Sequence, residues 1–150
     1  LVGCASVKSM NDDVYIPPVE KNAAQIRGST VSEGGLFGSV YRGYVIMVDL
    51  KSIPDAASRT DELLPLTAGK HIIAAEYRYS NFMSRAYLPL EAEPGATYQL
   101  MIKSGHEDTA DARPTSDFWI VNTDTGKSVT PIYRRQASGG KRGTIFNVNK

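Results

Sequence analysis

The sequence predicts an all-β fold: an antiparallel two-sheet sandwich of about seven strands, Ig/transthyretin-like in architecture. Three observations predict it. The chain is rich in Val, Ile and Thr and carries eight tyrosines, four phenylalanines and one tryptophan, side chains that suit a pleated, half-buried surface better than a helix. Between Leu66 and Ile102 apolar and polar residues alternate with period two, which puts every second side chain on one face. Turn residues recur too often for long helices and at intervals that suit a sandwich. With 150 residues, 41% of them hydrophobic, the chain suffices for one core and is short for two.

Taken in order, residues 1–21 precede the folded part; from Ser6 to about Lys21 there is no sustained periodicity, and Asn11, Asp12, Asp13, Pro17 and Pro18 break structure, so that segment of roughly sixteen residues reads as a flexible tether. As a coil it spans roughly 20–25 Å, and about 50 Å fully drawn out. Residues 22–133 hold the sandwich. Ala24–Ser29 alternates weakly and is the first strand, followed by the Gly-rich stretch from Gly34 to Gly38, a loop. Tyr44–Leu50 is a short apolar run bounded by Gly43 and Pro54, the pattern of a buried strand. Pro54 and Pro65 confine Ala56–Leu64 to about one helical turn.

The clearest alternation follows. Ile73, Ala75, Tyr77 and Tyr79 share one face of a strand whose other face carries Glu76 and Arg78. Asn81 marks a reversal into a strand with Ala86, Leu88, Leu90 and Ala92 inward and Tyr87, Pro89 and Glu91 outward. Pro89 places that strand at an edge or a bulge. Pro94-Gly95 is a turn that needs positive φ at Gly, leading to Tyr98, Leu100 and Ile102 inward. These three strands read as an antiparallel meander. Asp117–Asn122 and Ser128–Tyr133 are the last two strands, joined by a turn at Asp124-Thr125-Gly126. Residues 134–150 contain Arg134, Arg135, Lys141, Arg142 and Lys150 and no acidic residue, a basic flexible tail in which Thr144–Val148 can add an edge strand.

Two resemblances concern location and fold. Leu1-Val2-Gly3-Cys4, followed by Ala5 and Ser6, resembles the lipobox of bacterial lipoproteins. The resemblance implies that Cys4, the only cysteine, becomes the acylated first residue of the mature chain, and that the protein is anchored to the cell envelope. With Ala5 rather than Asp after the cysteine, it implies the outer membrane. Two acyl chains anchor a protein stably, at ~0.8 kcal/mol per buried methylene. Val48-Asp49, the run from Leu66 through Gly69-Lys70-His71, and Pro94-Gly95-Ala96-Thr97-Tyr98 resemble the turns of PEGA-like β-sandwich domains of bacterial surface lipoproteins. Leu50 stands where that family carries Gly, and Ala68 where it often carries Pro.

Composition and motifs argue against catalysis. A net charge of +1 does not fit a dedicated nucleic-acid binder, and no apolar run approaches the ~18 residues of a membrane span. Asp124-Thr125-Gly126 matches the aspartic-protease triplet in a single copy, and a hairpin turn accounts for it better. Gly126-Lys127-Ser128 lacks the first glycine and the helix of a phosphate loop. Ser138-Gly139-Gly140-Lys141 has Ser-x-x-Lys spacing in a segment too Gly-rich to hold a nucleophile. His106, Glu107, Asp108 and Asp111 are weak candidates for a metal site, their spacing matching no ligand framework, and a solvated loop fits them better. His71 opens a strand and reads as a structural histidine. No cofactor is expected. Tyr87 and Trp119, joined by Tyr41 and Tyr44, are candidates for an outward aromatic platform. The functional expectation is a non-enzymatic lipoprotein that contacts another envelope protein. The alternative is a glycan-binding module for peptidoglycan or surface polysaccharide, carried by those aromatics.

Overall fold

Alternation decides the core. In the computed structural model, which describes residues 13–33, 35–79, 82–105 and 114–139, the strands face each other across Ile26, Val48, Ile73, Leu88, Leu90, Tyr98, Leu100, Phe118 and Ile120, all essentially sealed from solvent. In chain order the described strands are β1 (Ala24–Arg27), β2 (Ser29–Glu33), β3 (Ser39–Val48), β4 (Lys51–Ser52), β5 (Leu64–Leu66), β6 (Gly69–Tyr79), β7 (Phe82–Ala92), β8 (Thr97–Gly105), β9 (Thr115–Asn122), β10 (Lys127–Ser128), β11 (Tyr133–Gln136) and β12 (Ser138–Gly139). Two short 3₁₀ turns, Gly35–Phe37 and Ala56–Arg59, interrupt them. Among the described residues no helix is long and apolar enough to cross a membrane.

The strands form two sheets. Sheet A runs β12-β7-β6-β3-β2, with β4 also on β3; sheet B runs β10-β9-β8-β1-β5, with β11 also on β9. The two-sheet, largely antiparallel sandwich expected from the sequence is therefore what forms. One pair departs from it: β1 lies parallel to β8.

The central faces match the alternation. Ile73, Ala75 and Tyr77 of β6, Ala86 to Ala92 of β7 at every second position, and Tyr98, Leu100 and Ile102 of β8 are buried. The antiparallel meander is corrected, however. β6 and β7 pair through eleven registered positions, but β8 leaves for sheet B, where it pairs with β9 and β1. The Pro94-Gly95 turn closes with the Ala96 N–H on the Glu93 carbonyl at 3.2 Å, Gly95 taking φ 74°. The Ala96 carbonyl then accepts the Gln25 N–H at 3.0 Å. That bond hands the chain to β1. Alternation fixes which side chains point inward, and both sheets point inward to the same core, so it does not fix the sheet.

Four boundaries also move. β3 starts at Ser39, and a bulge between Val45 and Met47 turns both Val45 and Val48 into the core. The strand expected at Ser128–Tyr133 is two short pieces on the edge of β9: Ile120 N–H donates to Thr130 Oγ1 at 3.0 Å, and Pro131 follows, so the ladder breaks between β10 and β11. Arg134 to Gln136, assigned to the flexible tail, form β11, and Ser138-Gly139 form β12. The tether is shorter as well, because Tyr15 N–H bonds the Ser52 carbonyl at 2.9 Å and its hydroxyl donates to the Pro65 carbonyl at 2.7 Å. Asn81 and the Thr144–Val148 segment lie outside the described residues.

The two sheets are joined at both edges by the chain itself. At one edge Gly28 carries it from β1 to β2; a Cβ there would sit 2.2 Å from the Gly43 carbonyl, and one on Gly43 would sit 2.3 Å from Ile102 Cγ2. Only glycine permits so close an approach. At the other edge Ala137 N–H bonds the Pro114 carbonyl at 2.8 Å as β11 passes into β12. There β12 covers only Phe82 and Met83 of β7. From Ser84 to Ala92 no described strand pairs with the outer side of β7, and Pro89 lies in that open half, as expected of an edge.

Candidate functional site

Outward positions of sheet A divide into a polar half and an apolar half. In the polar half Tyr44 and Glu76 face each other across β3 and β6, and Glu76 faces Arg85 across β6 and β7. The Glu76 carboxylate is saturated: Tyr44 donates its hydroxyl at 2.5 Å, Arg78 its Nε at 2.9 Å and Arg85 an Nη at 2.9 Å. Glu76 is only 3% exposed. Its burial pushes the carboxyl pKa up, but the hydrogen bonds from Tyr44, Arg85 and Arg78, with the Arg78 charge, outweigh burial and hold it below the usual carboxylate range. Burial, and then the same carboxylate, push the Tyr44 hydroxyl up to about 12.

The apolar half lies towards the other end of β6 and β7. Ile72 and Pro89 are cross-strand partners there, and Tyr87 is two residues along the same face. Ile72, Tyr87, Val129 and Ile132 are all exposed. Asp49, Lys70, His71, Ile72, Pro89, Leu90, Glu91, Val129 and Pro131 line a hollow of about 470 Å³ beside the open half of β7. Val129 is fixed by its N–H on the Ile120 carbonyl at 2.8 Å.

One wall of this hollow is unusually well tied. Asp49 and Leu50, at φ 53° and 67°, form the two-residue turn between β3 and β4, a type I′ geometry that favours Asn-Gly or Asp-Gly. From that turn Asp49 Oδ2 meets His71 Nδ1 at 2.7 Å, and Asp49 Oδ1 accepts the Ile72 N–H at 2.8 Å. His71 Nε2 faces the Thr67 carbonyl at 2.7 Å. Both ring nitrogens have partners and the residue is buried, so His71 is the structural histidine the sequence suggests. Its ties hold the β3–β4 turn to the start of β6.

The expected aromatic platform does not assemble. Tyr87 points outward from sheet A and Trp119 outward from sheet B, on opposite sides of the sandwich, because Leu88 and Phe118 beside them both face the core. Tyr41 is a core residue, its ring 5.9 Å from that of Tyr77. Tyr44 points outward but is buried against Glu76. Asp124-Thr125-Gly126 forms the β9–β10 hairpin turn, with Asn122 Oδ1 accepting the Asp124 N–H at 2.8 Å and Gly126 at φ 73°. Cys4 and the candidate metal residues His106, Glu107, Asp108 and Asp111 lie outside the described residues. Among the described residues no cluster of three metal-ligating side chains occurs. The residues that sequence reasoning missed are Val129 and Pro131, read as strand, and the Arg42–Arg78 pairing, which follows only from the register of β3 on β6. No protein-family model, curated protein or solved structure matches the chain.

Proposed function

We propose that the chain is a non-enzymatic lipoprotein of the bacterial cell envelope, anchored through Cys4, that works by binding another envelope protein. The lipobox-like start supports the anchor. The observation that carries the binding role is the exposed apolar surface of Ile72, Tyr87, Pro89, Val129 and Pro131, gathered from sheet A and the β10–β11 connection beside the open half of β7. Exposed apolar groups clustered rather than scattered mark contact sites, and an apolar centre with a charged rim, here Lys70 and Glu91, is the anatomy of a protein interface. Pro89 supplies no N–H, so this edge is a poor template for an added strand. Recognition runs through side chains: an apolar segment of the partner fills the hollow.

The test is crosslinking and mass spectrometry of intact cells carrying wild type, Ile72→Glu/Val129→Glu, or a Cys4→Ser form exported by a cleavable signal. The reading expects specific envelope proteins on the wild type, their loss from the double variant, and reduced recovery with Cys4→Ser. A partner set unchanged by the double variant contradicts it. Absence of protein partners, together with Trp119 fluorescence that responds to cell-wall fragments, favours a glycan-binding module instead.

A further inference from the structure

The polar half of sheet A contains an unbalanced pair of cations. Arg42 and Arg78 are directly opposite each other on β3 and β6, an arrangement that is unfavourable between like charges on one face of a sheet. Glu76 compensates one of them at most: it binds Arg78 through Nε and Arg85 through Nη. Among the described residues Arg42 has no ion pair, and the acidic groups of neighbouring elements have other partners. Asp61 accepts from the Thr30 hydroxyl at 3.4 Å, and Glu62 pairs with Arg59 at 2.9 Å. Asp55 lines a hollow with Tyr44, Ala57 and Arg78, which also line the neighbouring hollow beside Arg42.

Arg42 and Arg78 line one hollow of about 350 Å³ together with Val40, Tyr44 and Ala57, and among the described residues no acidic side chain lines it. Arg78 is 65% exposed at its side chain but held at its Nε by the buried carboxylate. The guanidinium is thereby pre-oriented by Glu76 and Tyr44, with most of the side chain left open to a ligand. A buried carboxylate that aims an exposed guanidinium is a means of preorganisation, and preorganisation raises affinity by lowering the ordering cost.

We infer that this hollow is an anion-recognition site for a phosphate monoester group, with Arg42 and Arg78 as its two binding residues and Glu76 as the positioning residue behind Arg78. The charge selects the ligand. One carboxylate is satisfied by a single guanidinium fork, whereas a phosphomonoester carries a charge near −2 and three acceptor oxygens, which match two forks. The phosphate can belong to a lipid headgroup or to a soluble ligand. The inference is independent of the protein-docking hollow, which shares no residue with this one.

The test titrates the full-length chain, as Cys4→Ser so that acylation contributes nothing, with inorganic phosphate and with acetate at constant ionic strength. Arginine Nε–H resonances report binding. Phosphate is expected to shift the Arg42 and Arg78 signals with at least about tenfold higher affinity than acetate. Arg42→Gln is expected to remove that preference, and Arg42→Lys to restore it only in part, since it keeps charge but not the fork. Lys127→Gln, the same charge change on the β9–β10 hairpin, is expected to leave it intact. Equal affinity for the two anions, or equal loss in Arg42→Gln and Lys127→Gln, overturns the inference. The Arg42 side chain makes no hydrogen bond or ion pair among the described residues, so its variants test binding without testing folding. Vesicles of phosphatidic acid in phosphatidylcholine, against phosphatidylcholine alone, then separate the sources. Arg42-dependent retention on phosphatidic acid assigns the phosphate to a lipid, and a phosphate response without retention assigns it to a soluble ligand.

Discussion

The two edges of this sandwich are built in opposite ways. At the β1–β2 edge the sheets are pressed together until Gly28 meets the Gly43 carbonyl and Gly43 meets Ile102, with no room for a methyl group. At the β7 edge, among the described residues, the closure stops after Met83, and the remaining half of the strand borders an exposed apolar hollow. The sealed edge is explained by stability alone. The open edge leaves Ile72, Tyr87 and Val129 in water, which folding does not require. The contrast therefore separates residues that hold the fold from residues that are free to serve contact.

Substitutions and a pH series test that contrast and the contacts behind it. Gly43→Ala has the largest expected effect, since its Cβ must displace Ile102 from the core: about 3 kcal/mol of destabilisation, read by urea unfolding. Glu76→Gln comes next, at about 2 kcal/mol, because two arginines and the Tyr44 hydroxyl lose a buried carboxylate. Its pH dependence has a definite sign. The folded-state pKa of Glu76 is depressed, so its contribution is complete above the unfolded value of about 4.3 and is lost as pH falls through the folded value. The stability gap between wild type and Glu76→Gln should accordingly be full at neutral pH and narrow below about pH 4.

Leu50→Gly should stabilise by about 1 kcal/mol, visible as a rise in Tm, because Leu50 holds φ 67° and is 72% exposed. Ile72→Glu, at the open edge, should change stability by less than about 0.5 kcal/mol in the same unfolding experiment. If it destabilises as much as Gly43→Ala, the hollow belongs to the core and the contrast fails.

Much of the fold was legible. The inward sets on β6, β7 and β8 follow from period two, and Pro89 does lie in an open edge. The departure of β8 into sheet B was not legible, because it depends on Gln25 reaching the Ala96 carbonyl across 71 positions of sequence. β11 escaped because Tyr133-Arg134-Arg135-Gln136 is an exposed edge strand, with Arg134 held at 2.8 Å by Asp117. Such a strand needs no apolar alternation. The candidate site was legible in part. Tyr87 is outward as read, and the turns at Val48-Asp49 and Gly69-Lys70-His71, quoted separately from the sequence, prove to be one structure joined by the Asp49–His71 contact. The hollow itself combines Ile72 and Pro89 of sheet A with Val129 of the β10–β11 connection, and nothing local in the sequence joins them. Trp119 shows the converse: outward alternation alone placed it beside Tyr87, and the sandwich puts them on opposite faces.

The most direct test of the account is site-specific photocrosslinking in intact cells, with the reactive side chain at Ile72 in one strain and at Met101, beside Trp119 on the outer face of sheet B, in another. A discrete protein adduct is expected from position 72, lost on adding Val129→Glu, and none from position 101. An adduct from position 101 alone, or the same adduct from both, would contradict the claim that the open edge of β7 is where this protein meets its partner.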